Sequence, residues 1–356
     1  MQANIEGRQQ VVSCVSGDIT ELQTRDIEQP GDGEILLAMR AVGLCGTDLF
    51  KLTTDAVSPG LVLGHELVGD VCAVGRNVDA FAIGDRVAVA HHVPCGRCAQ
   101  CRRGSDTLCA TFRENLLIPG AFAEFVLVRE RAVRGAAHKI PSWMSDDIAV
   151  WMEPAACVLR GVTRAQLINE GLSIVLGAGS MGLLHLLVLK AQFPQIKVLV
   201  IDPLSERRDI ARSLGADDCA APGQAADLAR KLSAGLGADA VFDTVGGAQT
   251  LSAALELSRE GGSVILFAHA AQDEKSDFDL NSLFKYERRV LGSYSGGPEQ
   301  QARVFELMTQ GKLDPSPLVT HHLPLAEFAH GVQLARTRAA MKVVFVPTQG
   351  DERGNL

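Results

Sequence analysis

The stretch at residues 174–182, IVLGAGSMG, joins an apolar strand pattern to an apolar helix pattern through the spacing G-x-G-x-x-G. In that context the first glycine permits a tight turn, the second lets the backbone approach a pyrophosphate, and the third lets helix and strand pack closely. The start of the helix offers unpaired N–H groups to phosphates. The stretch therefore predicts a dinucleotide site, with a ligand-free glycine-rich loop as the alternative. The predicted site comprises Gly177, Gly179, Ser180, Met181 and Gly182.

The sequence around this stretch changes character along the chain. From about residue 171, near-continuous apolar strands such as KVLVIDP alternate with helical stretches such as SERRDIARSLG. That alternation is typical of a parallel sheet covered by helices on both faces, a doubly wound α/β domain. Before about residue 150, short β-rich runs are separated by Gly, Asp and Pro, the pattern of small antiparallel sheets. A length of 356 residues is consistent with two such domains.

The next predicted strand carries the residue that favours one cofactor over another. It ends in Asp202, twenty residues beyond Gly182, where a carboxylate can accept hydrogen bonds from ribose hydroxyls. A 2′-phosphate there would meet a like charge, so the sequence favours NAD over NADP. Arg207 and Arg208 follow and could serve such a phosphate, or they could be solvated helix residues.

Four of the nine cysteines fall within one short stretch, HHVPCGRCAQCRRGSDTLCA. Their C-x2-C-x2-C-x7-C spacing can close a tetrahedral zinc site, with turn residues where the chain must bend. Four sulfur ligands leave no open position, so we expect a structural zinc rather than a catalytic one. Four unrelated loop thiols are the alternative. The expected ligands are Cys95, Cys98, Cys101 and Cys109.

Composition excludes several classes of partner. The balance of 34 Lys+Arg against 42 Asp+Glu, formally −8, argues against a nucleic-acid-binding surface. No signal peptide is visible, and no segment reaches the roughly 18 to 20 apolar residues of a membrane span. We expect a soluble cytoplasmic protein, in which thiols stay reduced and bind metal rather than form disulfides. The polar tail TQGDERGNL is expected to be disordered.

The first half of the chain also offers donors for a second, open metal site. GLCGTD supplies Cys45, GHELVG supplies His65, twenty residues further on, and Glu66, and EPAAC later supplies Glu153 and Cys157. A catalytic zinc takes about three protein ligands of N, S and O type and keeps one position free. Each of these residues alone could be an ordinary core or surface residue. Together with a dinucleotide fold they indicate a catalytic metal.

The motifs GLCGTD, GHELVGDVCAVG, GDRVAV, GAFAEFV, EPAAC, VLGAGSMG and LGADD, with the cysteine stretch, resemble the zinc-containing medium-chain alcohol dehydrogenases. The similarity covers nearly the whole chain and lies nearest the branch of sorbitol, other polyol and threonine dehydrogenases. It implies a GroES-like β-barrel catalytic domain over 1–155, a Rossmann NAD-binding domain over 156–295, and a segment 296–356 that returns to the first domain. It also implies a homodimer or homotetramer.

The resemblance implies roles for individual residues. Cys45 and His65 match catalytic zinc ligands, Glu66 matches the adjacent acid that ligates or exchanges with water, and Glu153 matches the remaining ligand position in the polyol branch. Thr47 matches the hydroxyl that passes on the substrate proton. Which of Glu66 and Glu153 completes the site stays open. Cys157 is expected to be a helix residue rather than a ligand.

One position departs from the pattern of many relatives. They carry a histidine proton relay where this chain has Phe50, so the proton must leave by another route, for example to water through Thr47 and the cofactor ribose. Phe50 also makes that side of the pocket more apolar. The pocket is expected to include Arg113, from TFREN, and Tyr294, from YSGG. Arg113 could pair with a substrate carboxylate or phosphate, or face solvent.

The predicted reaction is reversible oxidation of a secondary alcohol to a ketone, with zinc as Lewis acid and NAD as hydride acceptor. Expected substrates are polyols, sugar alcohols or cyclitols, and a 3-hydroxy amino acid or a sugar phosphate is the alternative. A non-catalytic dinucleotide-binding protein is a remote possibility. A zinc-free quinone or enoyl reductase of the same superfamily would lack the two zinc signatures that this chain carries.

Overall fold

The computed structural model describes residues 5–53 and 57–347, and the tail at 348–356 lies outside them. The chain divides into two compact units, Met1–Glu153 with Gly297–Leu356, and Pro154–Gly296. Among the described residues, none of the helices combines the length and the apolar character that crossing a bilayer requires.

Strands and helices follow one another throughout the described chain. The strands are β1 (Arg8–Ser16), β2 (Ile19–Asp26), β3 (Ile35–Gly43), β4 (Glu66–Val74), β5 (Arg86–Ala90), β6 (Leu117–Ile118), β7 (Phe125–Val128), β8 (Ala137–Lys139), β9 (Leu172–Leu176), β10 (Lys197–Ile201), β11 (Asp218–Ala220), β12 (Ala238–Asp243), β13 (Ser258–Leu266), β14 (Arg289–Gly292), β15 (His321–Pro324) and β16 (Val343–Val346). The α-helices are α1 (Gly46–Thr53), α2 (Ala99–Arg102), α3 (Glu130–Gly135), α4 (Asp146–Ala149), α5 (Met152–Arg164), α6 (Ser180–Gln192), α7 (Ser205–Ser213), α8 (Ala225–Leu232), α9 (Ala248–Leu257), α10 (Leu280–Phe284), α11 (Pro298–Thr309) and α12 (Phe328–Arg336). Single-turn 3-10 helices lie at Asp106–Leu108, Ala110–Arg113, Pro222–Gln224, Ser316–Leu318 and Leu325–Glu327.

The first unit is built on an eight-stranded curled sheet. Its main path runs β15-β16-β3-β4-β5-β8, and β7 joins β3 and carries β6. The pairs β3 with β4 and β4 with β5 are antiparallel, as the short runs separated by turn residues predict. Three aromatic rings fill the core beside β16, with Phe122 lying 5.5 Å from Phe345 and 4.8 Å from Phe328 between ring centroids. Such edge-to-face contacts add to the stability gained from burial.

The second unit is a parallel six-stranded sheet in the order β11-β10-β9-β12-β13-β14. Counted from β9, this is the strand order 3-2-1-4-5-6 of doubly wound dinucleotide-binding folds. Strand β9 is buried at all five positions because its neighbours β10 and β12 flank it and helices cover its faces. The α/β fold class that the sequence predicts, with a GroES-like first domain and a Rossmann second domain, is confirmed.

Candidate metal centre and dinucleotide site

One candidate metal centre lies where β3 ends and β4 begins. Cys45 follows β3 and precedes α1, while His65 directly precedes Glu66, the first residue of β4. Gly43 and Glu66 are partners in the antiparallel register, which brings the two strand ends together. One donor atom each from Cys45, His65 and Glu66 lies within 4.8 Å of the others. Sulfur, nitrogen and oxygen donors in this number suit a zinc site that keeps a position for substrate.

A buried carboxylate orients the histidine of this group. Asp48, fully buried in α1, lies 3.4 Å from His65 Nδ1 and accepts hydrogen bonds from the Cys45 and Gly64 N–H groups at 3.1 and 3.4 Å. Burial disfavours the charged form of either side chain, but their mutual attraction outweighs it. The pKa of Asp48 is lowered, and the pKa of His65 is raised well above its ordinary value by Asp48 and Cys45. With Nδ1 turned to Asp48, Nε2 remains to bind a metal.

The other residues expected around this centre occupy different positions. Thr47 and Phe50 lie on exposed positions of α1, and the Thr47 N–H lies 3.4 Å from Cys45 Sγ. Glu153 is buried in the first turn of α5 but does not belong to the group of three donors. Cys157 is half-buried one turn later in the same helix. The structure thus brings together Cys45, His65 and Glu66 and leaves Glu153 outside their group.

Sequence reasoning missed three further side chains at this centre. The ring centroid of His91 lies 4.7 Å from that of His65, and that of His92 lies 3.4 Å from His91. Burial, together with the nearby His65, lowers the pKa of His92 to about 3. Lys342 forms a buried ion pair with Glu66. In the sequence, Lys342 is a single cation directly before the apolar strand VVFV, and the two histidines are the HH that begins the cysteine stretch.

The second candidate metal centre is the cysteine loop. One Sγ from each of Cys95, Cys98, Cys101 and Cys109 lies within 4.8 Å of the others. Tetrahedral zinc with Zn–S bonds of about 2.3 Å places its sulfurs roughly 3.8 Å apart, so the four thiols fit the ion. The Cys95 N–H and the Thr111 hydroxyl lie 3.4 and 3.3 Å from Cys109 Sγ, and these contacts lower the pKa of Cys109 to about 6. A thiol that ionises readily is ready to bind a metal.

The glycine-rich loop forms the turn from β9 into α6. Gly177 adopts a φ of +92°, which favours glycine, and a Cβ on Gly182 would lie 1.9 Å from the Gly177 carbonyl oxygen. Gly179 stands at the start of α6, followed by Ser180 and Met181, both half-buried. The turn itself therefore requires glycine at Gly177 and Gly182. The open N-terminus of α6 can take a phosphate.

Asp202 has a structural contact that the sequence did not reveal. It is buried after β10, and its two carboxylate oxygens accept hydrogen bonds from the Ala178 and Leu204 N–H groups, each at 2.8 Å. The carboxylate therefore holds the glycine-rich loop while each oxygen keeps lone-pair capacity for a ribose hydroxyl. Arg207, in α7, brings Nη1 to 3.4 Å from where a Cβ on Gly179 would lie. The Arg207 guanidinium beside the glycine-rich loop could therefore bind a phosphate of the cofactor.

The two residues expected at the substrate pocket are both exposed. Arg113 ends a 3-10 helix after the cysteine loop, and Tyr294, half of whose side chain is exposed, follows β14. They belong to different units, the first and the second respectively.

Two family models match the chain, one in each half. The alcohol dehydrogenase GroES-like domain matches residues 31–142, and the zinc-binding dehydrogenase domain matches residues 180–310. The first matched region contains Cys45, His65 and Glu66 and the four cysteines of the loop, and the second contains Gly182, the last glycine of the glycine-rich loop, and Asp202.

Curated relatives align along most of their length. The chain is 32% identical to D-altritol 5-dehydrogenase of Agrobacterium fabrum over 87% of this chain and 90% of the relative. It is 29% identical to L-threonine 3-dehydrogenase of Pyrococcus abyssi over 92% and 94%. Among solved structures, a zinc-binding dehydrogenase homologue from Sinorhizobium meliloti 1021 bound to NADP superposes with a TM-score of 0.84 at 27% identity, covering 96% of this chain and 100% of that one.

Proposed function

Because the chain belongs to the zinc-containing medium-chain alcohol dehydrogenases, on the branch of polyol and threonine dehydrogenases, we propose that it oxidises a secondary alcohol reversibly to a ketone with NAD. The proposed substrates are polyols, sugar alcohols or cyclitols. The observation that carries this proposal is the group formed by Cys45, His65 and Glu66, whose mixed donors can hold a metal and leave a position for a hydroxyl.

The proposed catalytic zinc binds Cys45 and His65, with a carboxylate from Glu66 or Glu153 as the further protein ligand. A bound zinc supplies Lewis-acid polarisation of the substrate hydroxyl, and NAD supplies the hydride acceptor. Asp48 keeps the His65 ring in the orientation that presents Nε2. The exposed hydroxyl of Thr47, two residues from Cys45, accepts the substrate proton and passes it to water, since Phe50 cannot relay it.

NAD is the proposed cofactor because Asp202 places a buried negative charge beside the glycine-rich loop. A 2′-phosphate at that position would be repelled. NADP remains the alternative, and two observations favour it: Arg207 lies next to Gly179, and one solved homologue binds NADP.

A 3-hydroxy amino acid is the second candidate substrate class, favoured by the similarity to L-threonine 3-dehydrogenase. A sugar phosphate is a third, to which the exposed Arg113 could contribute a cation.

The test is a substrate panel on purified protein whose metal content has been measured. We expect about two zinc ions per chain, one for each donor group. Polyols including D-altritol, cyclitols, sugar phosphates and L-threonine are each offered with NAD and with NADP, and formation of reduced nicotinamide is followed by absorbance. Greater turnover of L-threonine than of every polyol would replace the first substrate class with the second. A zinc-loaded protein that oxidises none of these alcohols contradicts the proposal.

Thr47 provides the matched variants for this assay. Thr47→Val should slow turnover about 10²- to 10⁴-fold without loss of zinc, because it removes the proton acceptor. Thr47→Ser, which retains the hydroxyl, should stay near the native rate. Equal rates for the two variants would mean that Thr47 does not accept the proton, and that Glu66 or Glu153, acting through a water molecule, is the general base.

A further inference from the structure

Three nitrogen-bearing side chains lie in the first unit close to the metal donors without belonging to them. His91 and His92 directly follow β5, and Lys51 belongs to α1. The end of β5 pairs with Glu66 at the start of β4 in the antiparallel register. This pairing places His91 beside the donors, with its ring centroid 4.7 Å from that of His65 and 3.4 Å from that of His92.

One of these side chains has a polar atom that the fold does not use. His91 is only 9% exposed, and its Nδ1 is buried without a hydrogen-bond partner among the described residues. Buried polar atoms are normally hydrogen-bonded, so such an atom is available to a bound molecule or to water. The chain that follows β5 therefore offers a polar contact beside the metal donors.

Lys51 lies one helical turn beyond Thr47 in α1. Residues four apart share one face of a helix, and their Cα atoms are separated by about 6 Å along its axis. Lys51 is half-buried, whereas Thr47 is exposed. The Lys51 side chain therefore starts from the same face of α1 as the proposed proton acceptor.

The positive charge of Lys51 acts on both histidines that follow β5. Burial is the main reason why the pKa of His91 lies well below its ordinary value, and nearby positive charges, among them Lys51, lower it further. The pKa of His92 falls to about 3 through burial and the charge of His65, with a further contribution from Lys51. Charge interactions weaken with distance, so Lys51 lies near both rings. Since the two imidazoles are neutral near pH 7, Lys51 is the fixed cation of the three side chains.

We propose that Lys51 recognises the substrate, and that its ammonium binds a carboxylate carried by the alcohol whose hydroxyl lies at Thr47. The preferred substrates are then hydroxy acids, such as the sugar acids that correspond to polyols, rather than neutral polyols. A hydrogen bond between charged groups is about twice as strong as one between neutral groups, so a carboxylate gains more from this position than a hydroxyl does. The inference rests on the proposed function and narrows its substrate class.

A carboxylate fits this position better than a phosphate. One ammonium balances the single charge of a carboxylate, whereas a phosphate ester carries about 1.5 to 2 negative charges near pH 7. The excess charge would be repelled by the fully buried carboxylate of Asp48, three residues before Lys51 in the same helix.

The test compares substrates that differ at a single carbon. D-Altronate and D-altritol share their arrangement of hydroxyls, but only D-altronate carries a carboxylate. L-Threonine and L-threoninamide form a second pair with the same difference. We expect kcat/KM for the carboxylate member to exceed that for the other member by about tenfold or more, mainly through KM. Added salt should raise KM for the carboxylate member alone, because screening weakens the contact between charges.

Three variants locate the origin of this preference. Lys51→Met removes the charge at nearly the same side-chain length and should reduce the preference about 10- to 100-fold, the scale of a hydrogen bond to a charged group. Lys51→Arg keeps the charge and should retain most of the preference. Lys312→Met is the matched control, since Lys312 is an exposed lysine of the same unit, and it should show the native preference.

The role of Lys51 is overturned by an unchanged preference in Lys51→Met, or by a native preference for a sugar phosphate over D-altronate and L-threonine. Should Lys51→Met not fold, the native protein decides, because a KM for the carboxylate member that does not rise with salt overturns the role equally.

The failure of this inference can be told from failure of the proposed function. A zinc-loaded native protein that oxidises none of these alcohols contradicts the proposed function and leaves Lys51 no substrate to recognise. A native protein that oxidises neutral polyols in preference to both D-altronate and L-threonine retains the proposed function and overturns only the role of Lys51.

Discussion

At the scale of single residues, Asp202 shows how one side chain can serve both the fold and the cofactor. Its two carboxylate oxygens accept hydrogen bonds from the N–H groups of Ala178, in the glycine-rich loop, and of Leu204, at the start of α7. Hydrogen bonds to a charged group are stronger than neutral ones, so the buried carboxylate fixes the loop that receives the phosphates. The same negative charge is the proposed source of discrimination against a 2′-phosphate.

The change Asp202→Ala should weaken NADH binding by about tenfold, because the loop and the ribose both lose an acceptor. Asp202→Asn is the matched variant, since it removes the charge but keeps one acceptor oxygen. It should hold NADH better than the alanine variant does while relaxing discrimination against NADPH. Titration of both reduced cofactors by fluorescence gives the four dissociation constants. A native preference for NADPH, or an unchanged preference in the asparagine variant, would refute the assignment.

Local sequence identified the candidate donors but not the residues that hold them in place. Cys45, His65 and Glu66 stand in recognisable motifs, and the structure gathers them within 4.8 Å. Lys342 approaches Glu66 from 276 positions away along the chain, through a strand register that no local pattern encodes. Asp48 lies within the GTD motif, yet its complete burial against His65 depends on how α1 packs. Contacts between distant segments need the assembled sheet, so sequence patterns could not predict them.

At the scale of elements, the strongly apolar segments were predictable, and the short or exposed ones were not. KVLVIDP becomes β10 because a short apolar run indicates a buried strand, and SMGLLHLLVLKAQF becomes α6 because a longer apolar segment after a glycine-rich turn indicates a buried helix. The antiparallel pair of β1 and β2 could not be predicted from local pattern, because β2 is largely exposed and has few apolar residues. The segment 95–109 contains only a four-residue helix and a single 3-10 turn.

The cysteine loop should depend on its metal for structure. A helix of four residues is far below the length that is stable alone, and the loop buries few side chains. Cys98→Ser is expected to lose one zinc per chain and to lower the melting temperature by at least about 5 °C, since a closed site contributes folding free energy. Cys157→Ser, a half-buried cysteine in α5, is the control and should keep two zinc ions and melt within about 2 °C of the native protein. Melting of Cys98→Ser at the native temperature after zinc loss would contradict a structural role.

At the scale of the whole molecule, the parallel sheet of the second unit ends in a strand to which no further strand pairs among the described residues. Strand β14 ends the parallel sheet, and its residues are half-buried or exposed. Just before it, α10 presents Leu280 at 74% exposure and Phe284 at 81%. Open strand edges and exposed apolar groups invite association. We propose that this edge forms the contact of a homodimer, alone or within a homotetramer.

The oligomer proposal is tested by light scattering after gel filtration. The native protein should elute as a dimer or tetramer, and the double variant Leu280→Asp with Phe284→Asp should fall to a smaller species because it places charges in the apolar contact. Leu236→Asp is the matched control, since Leu236 is 72% exposed in the same unit but directly precedes β12, which is two strands from β14 in the sheet order. The control should keep the native mass. A monomeric native protein, or a double variant of native mass, would show that copies of this chain do not join through the β14 edge.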